Sequence, residues 1–146
     1  MREIKFRGKS LLNGKWYYGD LVTDTREFNR TCDKAYILPR WDKLNIPIQV
    51  DIETVGQFTG LIDKNEIEVF EGDILETTSE LMSNFGRKPT GEYHTSYNKI
   101  IWIDDCWGYE VIENNGVGLI NGYQNRGIKS LIKYSKVIGN VYKNQD

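Results

Sequence analysis

The stretch that decides the fold is DIETVGQFTGLIDKNEIEVFEGDIL, residues 51–75. Val55, Gln57 and Thr59 alternate with Gly56 and Phe58 in an extended segment. Ile67 and Val69 continue in extended form, with Glu66 and Glu68 on the other face of the strand. The tripeptide DKN at 63–65 is turn chemistry, because Asp and Asn side chains can bond back to local amides. A second tight turn is predicted at 71–73 (EGD), where Gly72 can adopt positive φ and Asp73 can accept from nearby N–H groups.

The N-terminal side of this stretch predicts a β-hairpin over residues 2–22. Ile4 and Phe6 alternate with charged residues, as in a strand with one face buried. Asn13-Gly14 favours a type I′ turn, and the aromatic residues that follow supply the returning strand. A short strand is expected at 35–38, ended by Pro39.

The C-terminal side repeats the period of two. Residues 99–103 and 107–112 are strand-like, and the connection between them, 104–106, suits a hairpin. The closing segment VIGNVY, residues 137–142, predicts a last strand in which Gly139 marks a bulge or a close backbone approach.

Helical spacing is rare in the chain. Ile128, Leu131 and Ile132 recur at i, i+3, i+4 and predict one short helix. A second could begin at Ser79, whose hydroxyl can cap a helix. Residues 23–34 and 83–97 lack periodicity and are expected to be variable loops or insertions.

These elements predict a mainly β fold: antiparallel sheets with an SH3-like or small barrel portion and one or two short helices. A length of 146 residues fits a single domain, residues 1–146. No apolar run is long enough to span a bilayer, and the charged N-terminus does not resemble a signal peptide. We therefore expect a cytoplasmic protein without a membrane partner, in which Cys32 and Cys106 are reduced.

Charge is distributed unevenly, although the net charge is only −2. Residues 1–18 carry five basic residues against one acid, residues 51–80 carry nine acids against one Lys, and residues 126–143 carry five basic residues and no acid. Basic terminal strands can lie beside acidic central strands, where cross-strand pairs add small favourable terms. Alternatively, the basic segments form a surface for phosphate or an acidic partner.

The candidate binding residues lie on the basic and aromatic N-terminal hairpin. Three consecutive aromatic residues cannot share one face of a strand, so at least one lies on the face away from the core. Trp and Tyr are favoured at interfaces because they combine apolar area with a polar handle. The residues selected are Arg7, Lys9, Trp16, Tyr17 and Tyr18.

Catalytic and cofactor motifs are weak or missing in the sequence. The single histidine, His94, falls in a predicted polar loop, and neither GxxxxGK[ST] nor GxGxxG occurs. The acids at 66, 68, 71 and 73 could hold a divalent metal, but they fit equally well on the solvent face of a strand and in a turn. No catalytic residue, metal ligand or cofactor is assigned.

Three stretches together resemble the YopX family, small proteins encoded by phages and prophages of Gram-positive bacteria. They are the opening REIKFRGK, the central ETVGQFTGLIDKN with VFEGDI, and the closing VIGNVY. One departure is visible, since the family usually has a glycine after the DKN turn and this chain has Glu66. That departure puts the turn type in question.

The resemblance implies a mainly β protein with a barrel-like portion, from a family whose molecular role is unassigned. It also implies a phage or prophage origin, hence a bacterial cytoplasm, and supplies no catalytic residues. The motif positions in this chain are expected to serve turns and packing. They are Gly56, Gln57, Thr59, Gly60, Asp63, Glu71, Gly72 and Asp73.

Three hypotheses of function remain at this point. The first is a non-catalytic accessory protein, expected to be homo-oligomeric, that engages a host protein or a small nucleotide-like ligand. The second is a nucleic-acid-binding β-barrel that uses the basic and aromatic hairpin, since such surfaces hold single strands. The third is a metal-dependent hydrolase that uses the acidic centre.

Overall fold

A computed structural model of the protein describes residues 1–24, 34–40, 43, 45–116, 123–124 and 128–142. Antiparallel strands dominate this part of the chain, and two compact units divide it, residues 1–60 and 61–146. The predicted mainly β fold is confirmed. In the described residues, no helix is both long enough and apolar enough to cross a membrane.

The first unit contains a curled sheet. Its strands are β1 (Phe6–Lys9), β2 (Trp16–Asp24), β3 (Lys34–Pro39), β4 (Ile48–Val50) and most of β5 (Gly56–Ile62), with a 3-10 turn at Ile52–Thr54. The strand order is β4-β3-β2-β1-β5. An isolated bridge joins Ser10 to Val50, and the Asp51 N–H donates to the Lys9 carbonyl at 2.8 Å. The end of β1 therefore meets β4, giving the small barrel-like arrangement expected.

Apolar side chains on one face of this sheet form the core of the first unit. Ala35, Ile37 and Val50 are buried, and four partly buried residues pack against them: Phe6, Tyr17, Leu21 and Val55. Two glycines on the same face allow the strands to approach closely. A Cβ on Gly8 would lie 2.6 Å from Val50 Cγ2, and one on Gly19 would lie 2.0 Å from the Leu38 carbonyl oxygen.

The second unit contains a five-stranded sheet of order β10-β9-β8-β7-β11. The ranges are β7 (Asp73–Ser83), β8 (Lys88–Ile103), β9 (Cys106–Asn114), β10 (Tyr123–Gln124) and β11 (Ser135–Asn140). The short strand β6 (Glu68–Phe70) and helix α1 (Ile128–Lys133) complete the unit. The helix places Ile128 and Ile132 in the core with Val69, Leu75 and Ile100.

Several predicted elements are confirmed. Helix α1 lies where the i, i+3, i+4 spacing placed it, and β8 and β9 are joined through Asp104-Asp105. The register of β11 against β7 shifts between Val137 and Gly139, which is the bulge predicted there. The N-terminal hairpin also forms, but of Asn13 and Gly14 only Gly14 has positive φ, so its turn is not type I′.

Two predictions are wrong. The helix expected at Ser79 is absent, because residues 79–83 belong to β7 and Ser79 pairs with His94 of β8. The loop expected at 83–97 is instead a hairpin tip followed by β8, which places His94 on a strand. Pairing with β7 outweighs local propensity here, and a bulge accommodates the irregular residues around Gly91. Of the loop expected at 23–34, residues 25–33 lie outside the described part, and Cys32 with them.

Candidate binding site

The register of β1 against β2 distributes the five candidate residues between two faces. Arg7 is opposite Tyr18, and Lys9 is opposite Trp16. Because side chains alternate along a strand, these four share one face, and Tyr17, opposite Gly8, points to the other. The structure thus brings four of the candidates together and separates the fifth.

Cation–π contacts organise the shared face. The Arg7 guanidinium lies 4.9 Å from the centroid of the Trp16 ring, and the Lys5 ammonium lies 4.9 Å from that of Phe58. Arg7 is only 5% exposed. A desolvated contact of this kind contributes about 2 kcal/mol. Arg7 therefore stabilises the hairpin, while Tyr18, at 42% exposure, is the accessible aromatic residue of this face.

The opposite face carries an open groove at the tip of the hairpin. We call it the hairpin groove; its volume is about 540 Å³. Tyr17 contributes to its wall and receives a hydrogen bond on its hydroxyl from Asn13 Nδ2 at 3.0 Å. The lining residues are Ser10, Leu11, Leu12, Asn13, Tyr17, Ile46, Pro47, Ile48 and Gln49.

Hydrogen bonds in the hairpin loop hold two leucines out towards solvent. The Ser10 carbonyl accepts from the Gly14 N–H at 2.9 Å, and Ser10 Oγ accepts from the Leu12 N–H at 3.1 Å. Leu12 is 94% exposed, and Leu11 and Ile46 are also exposed. Exposed apolar residues that cluster around a groove mark a surface suited to a partner.

Sequence reasoning missed the hairpin groove. A signal was available, since Leu11-Leu12 is an apolar pair directly before the turn residues Asn13-Gly14. A hairpin turn is ordinarily polar, so apolar residues there have no core to join. The contribution of residues 46–48 could not be inferred, because only the fold brings that segment beside the turn.

Two aspartates of the central motif act as backbone acceptors, as predicted. Asp63 Oδ1 accepts from the N–H groups of Asn65 and Ile67 at 2.8 and 2.9 Å. Its other oxygen, Oδ2, accepts from the Val137 N–H at 2.8 Å. Asp73 Oδ2 accepts from the Phe70 N–H at 2.8 Å, and both aspartates are buried.

The remaining motif residues lie in paired or buried positions. Gly56 and Gln57 pair with β1, and Thr59 is buried. Gly60 and Gly72 have φ of 83° and 85°, the left-handed region that favours glycine. Glu71 is half-buried. That these residues serve turns and packing stays a prediction from the sequence.

The acidic centre does not converge on one point. Among the described residues, no group of three or more His, Cys, Asp or Glu side chains is placed to hold a metal ion. Asp73 is turned inward to its own turn, whereas Glu66 is exposed. The arrangement offers no observation in favour of the hydrolase hypothesis.

Among the described residues, the pKa values of Arg40 and Tyr109 are displaced from their ordinary range. The pKa of Arg40 is raised, chiefly because its guanidinium donates a hydrogen bond to Asp20 of β2. The pKa of Tyr109, which packs against the core of the second unit, is raised by burial. Neither Arg40 nor Tyr109 lines the hairpin groove.

A buried row of polar side chains follows β8. Asn98 Nδ2 donates to Thr77 Oγ1 at 3.0 Å and to Ser96 Oγ at 2.9 Å, and Thr77 is in turn bonded to Ser135. Within the described residues, Asn98 Oδ1 and His94 Nε2 have no hydrogen-bond partner. The row holds β7, β8 and β11 in register.

Comparison with known proteins identifies one family whose model matches this chain. The model of the family described as YopX protein matches residues 5–146. Among solved structures, the chain is similar to the crystal structure of protein EF1440 from Enterococcus faecalis. The identity is 18%, the TM-score is 0.49, and the match covers 99% of this chain and 96% of that one. No curated protein matches.

Proposed function

This chain belongs to the YopX protein family, and from that premise and the hairpin groove we propose that it is a non-catalytic binding protein. The proposal includes a phage or prophage origin and a host protein as the partner. The observation that carries it is the exposure of Leu11, Leu12 and Ile46 around a groove of about 540 Å³. Large apolar side chains held in water by a hydrogen-bonded loop favour a binding surface.

The chemistry of the hairpin groove supports an apolar occupant. An apolar wall of Leu, Ile, Pro and Tyr suits aliphatic or aromatic side chains, and polar groups of Ser10, Asn13 and Gln49 at the rim can accept or donate hydrogen bonds. Lys9 and Lys15 flank the hairpin loop in the chain, and the Lys9 side chain reaches Gly14 of its turn. We therefore propose an apolar segment flanked by acidic residues, because charge complementarity speeds association and fixes register.

Identification of the partner and titration of its segment test this proposal. Host proteins that co-purify with the tagged chain are identified, and their apolar, acid-flanked segments are synthesised as peptides and titrated by calorimetry. Leu12→Asp is expected to weaken binding at least about tenfold, because it places a charge in a desolvated contact. Ile112→Asp, at an exposed apolar position outside the groove, is the matched control and should bind like wild type.

Two results would contradict the proposal that the peptide binds in the hairpin groove. One is peptide binding that is unchanged in both Leu12→Asp and Ile46→Asp. The other is binding that is lost equally in Ile112→Asp, which would indicate a general effect of surface charge. A thermal-shift screen of nucleotides run in parallel should show no stabilisation.

A second candidate function, binding of single-stranded nucleic acid or a nucleotide-like ligand, is favoured by the face opposite the groove. Tyr18 is exposed there beside Trp16, with Lys9 opposite Trp16 on the neighbouring strand and Arg7 buried against the Trp16 ring. Basic residues interleaved with aromatic rings suit stacked bases. In a gel shift, affinity should fall steeply with salt, and Tyr18→Ala should weaken it. Tyr17→Phe, on the opposite face, should not, and an absence of any shift at low salt removes this candidate.

A further inference from the structure

The β7–β8 ribbon continues beyond the strands that flank it. Pairing of β11 with β7 ends at Thr77, and pairing of β9 with β8 ends at Ser96. From residue 78 to residue 95 the described sheet is therefore two strands wide; we call this segment the arm. A two-stranded ribbon alone in water is marginally stable, so a neighbouring strand would stabilise it.

The tip of the arm exposes apolar side chains in a strained conformation. Phe85 is fully exposed and Met82 is half-exposed. Asn84 and Phe85 have φ of 53° and 56°, in the left-handed region that L residues with bulky side chains rarely adopt. Strain and exposed apolar area together are unfavourable in a single copy, and contact with another molecule would offset them.

The β8 edge of the arm has features that prevent strand pairing. Lys88 and Pro89 lie on it, and the register shifts between Glu80 and Met82 so that β8 carries extra residues around Gly91. Gly91 has a φ of 76°. A lysine, a proline and a bulge are the devices by which natural proteins protect an exposed edge.

The β7 edge of the arm has none of these devices. Its sequence from 78 to 83 is TSELMS, without proline, glycine or lysine. The one charged side chain, Glu80, accepts a hydrogen bond from the Gly91 N–H at 3.2 Å and so is directed to the protected strand. A nearly uncharged edge without proline, glycine or lysine, beside a protected one, is suited to pairing with another strand.

We propose that this β7 edge pairs antiparallel with the same edge of a second copy of the chain. Centred on Leu81, the pairing places Leu81 opposite Leu81 of the second copy and Glu80 opposite Met82, so no like charges are directly opposed. An edge paired antiparallel with itself is self-complementary, as a two-fold homodimer requires. The two arms then form one four-stranded sheet. This interface is independent of the hairpin groove.

Sedimentation of the intact protein tests the interface. The wild-type chain should be a dimer, and Leu81→Lys should raise its dissociation constant at least about tenfold, because two lysines would face each other across the axis. Glu92→Lys, on the protected β8 strand of the same arm, is the matched control and should remain dimeric. Circular dichroism of each variant checks that the fold is retained.

Cross-linking locates the axis without relying on a destabilising change. In a Cys32→Ser, Cys106→Ser background, Leu81→Cys should form a covalent dimer on oxidation, because residues directly opposite in an antiparallel pair have Cβ atoms about 5 Å apart. Glu92→Cys should not. A monomeric wild-type chain, a dimer that survives Leu81→Lys, or equal cross-linking at both positions would each overturn the proposal.

Discussion

At the scale of single residues, Asp63 illustrates how one carboxylate connects distant parts of the second unit. Its two oxygens accept three backbone hydrogen bonds, one of them from Val137, 74 positions away. Asp63→Ala leaves three N–H groups without their acceptor, so the free energy of unfolding should fall by about 3 kcal/mol or more. Urea denaturation measures the change.

Asp51→Ala is the control for that prediction. Asp51 Oδ1 caps a 3-10 turn through a single bond, to the Glu53 N–H at 3.0 Å. Its loss should cost about 1 kcal/mol. Equal effects of the two substitutions would show that the two additional hydrogen bonds of Asp63 contribute nothing to stability.

Glu66 occupies the position after the DKN turn where the family usually has glycine. Its φ is 63°, so the turn retains the left-handed conformation despite the side chain. Glu66→Gly removes that strain and should raise the free energy of unfolding by about 0.5–1 kcal/mol. Glu68→Gly, in strand β6, should instead lower it. If Glu66→Gly destabilises the chain in the same thermal denaturation, the strain argument fails.

Glycine is required at positions 8 and 19 because any larger residue would place its Cβ against a neighbouring strand. Gly19→Ala would bring its Cβ to 2.0 Å from a backbone oxygen, which cannot move without breaking the β2–β3 pairing. Gly8→Ala meets the side chain of Val50 instead. Both should destabilise the chain by about 1–3 kcal/mol or more.

A second substitution distinguishes the clash with a side chain, at Gly8, from the clash with the backbone, at Gly19. Val50→Ala should partly restore the stability of Gly8→Ala, since it removes the methyl groups that the new Cβ meets. The same change should not help Gly19→Ala. Measured additivity in the Gly8→Ala, Val50→Ala pair would contradict the proposed clash.

At the scale of elements, the arm is the part of the second sheet that the core does not require. None of residues 81–92 is buried, and Glu80 is paired directly with Tyr93. Compared with Leu81→Lys, which is expected to be monomeric, a chain in which the two-residue turn Asn-Gly replaces residues 81–92 should melt within about 3 °C. Calorimetry measures the melting temperature. Unfolding of the whole second unit in the replaced chain would show that the fold requires the arm.

Elements with a strong local pattern could be predicted from the sequence. The helix at Ile128–Lys133 and the bulge at Gly139 were found because spacing and a glycine mark them. The strand at 88–97 could not be found, since proline, two nearby glycines and polar residues carry no alternation. It forms because β7 supplies its hydrogen-bond partners, and such pairing depends on residues distant along the chain.

At the scale of the whole molecule, the uneven charge distribution is partly explained by cross-strand pairing. Lys136 of basic β11 lies directly opposite Glu76 of acidic β7, and their charged atoms are 3.0 Å apart. Exposed pairs of this kind contribute little and are screened by salt. Raising NaCl from low concentration to about 1 M should change the free energy of unfolding by less than about 1 kcal/mol. A larger loss in urea titrations would indicate that charge holds the fold together.

The candidate site was only partly accessible from the sequence. The sequence selects the N-terminal hairpin as an aromatic, basic element, and the register places its side chains on two faces. Burial of Arg7 under Trp16 and the convergence of Ile46 with Leu12 depend on strands that approach in space, so no local pattern indicates them. The free β7 edge likewise appears only when the lengths of neighbouring strands are known.

The sequence by itself determined the class of the fold, the turns of the central stretch and the family. These features are local, because alternation, turn chemistry at 63–65 and 71–73, and a motif read in order require no knowledge of distant contacts. The tertiary structure alone decided which face each hairpin residue occupies, how far β7 and β8 extend, and which apolar residues lack a core. Those outcomes depend on pairing partners remote in sequence, whose contribution exceeds local propensity.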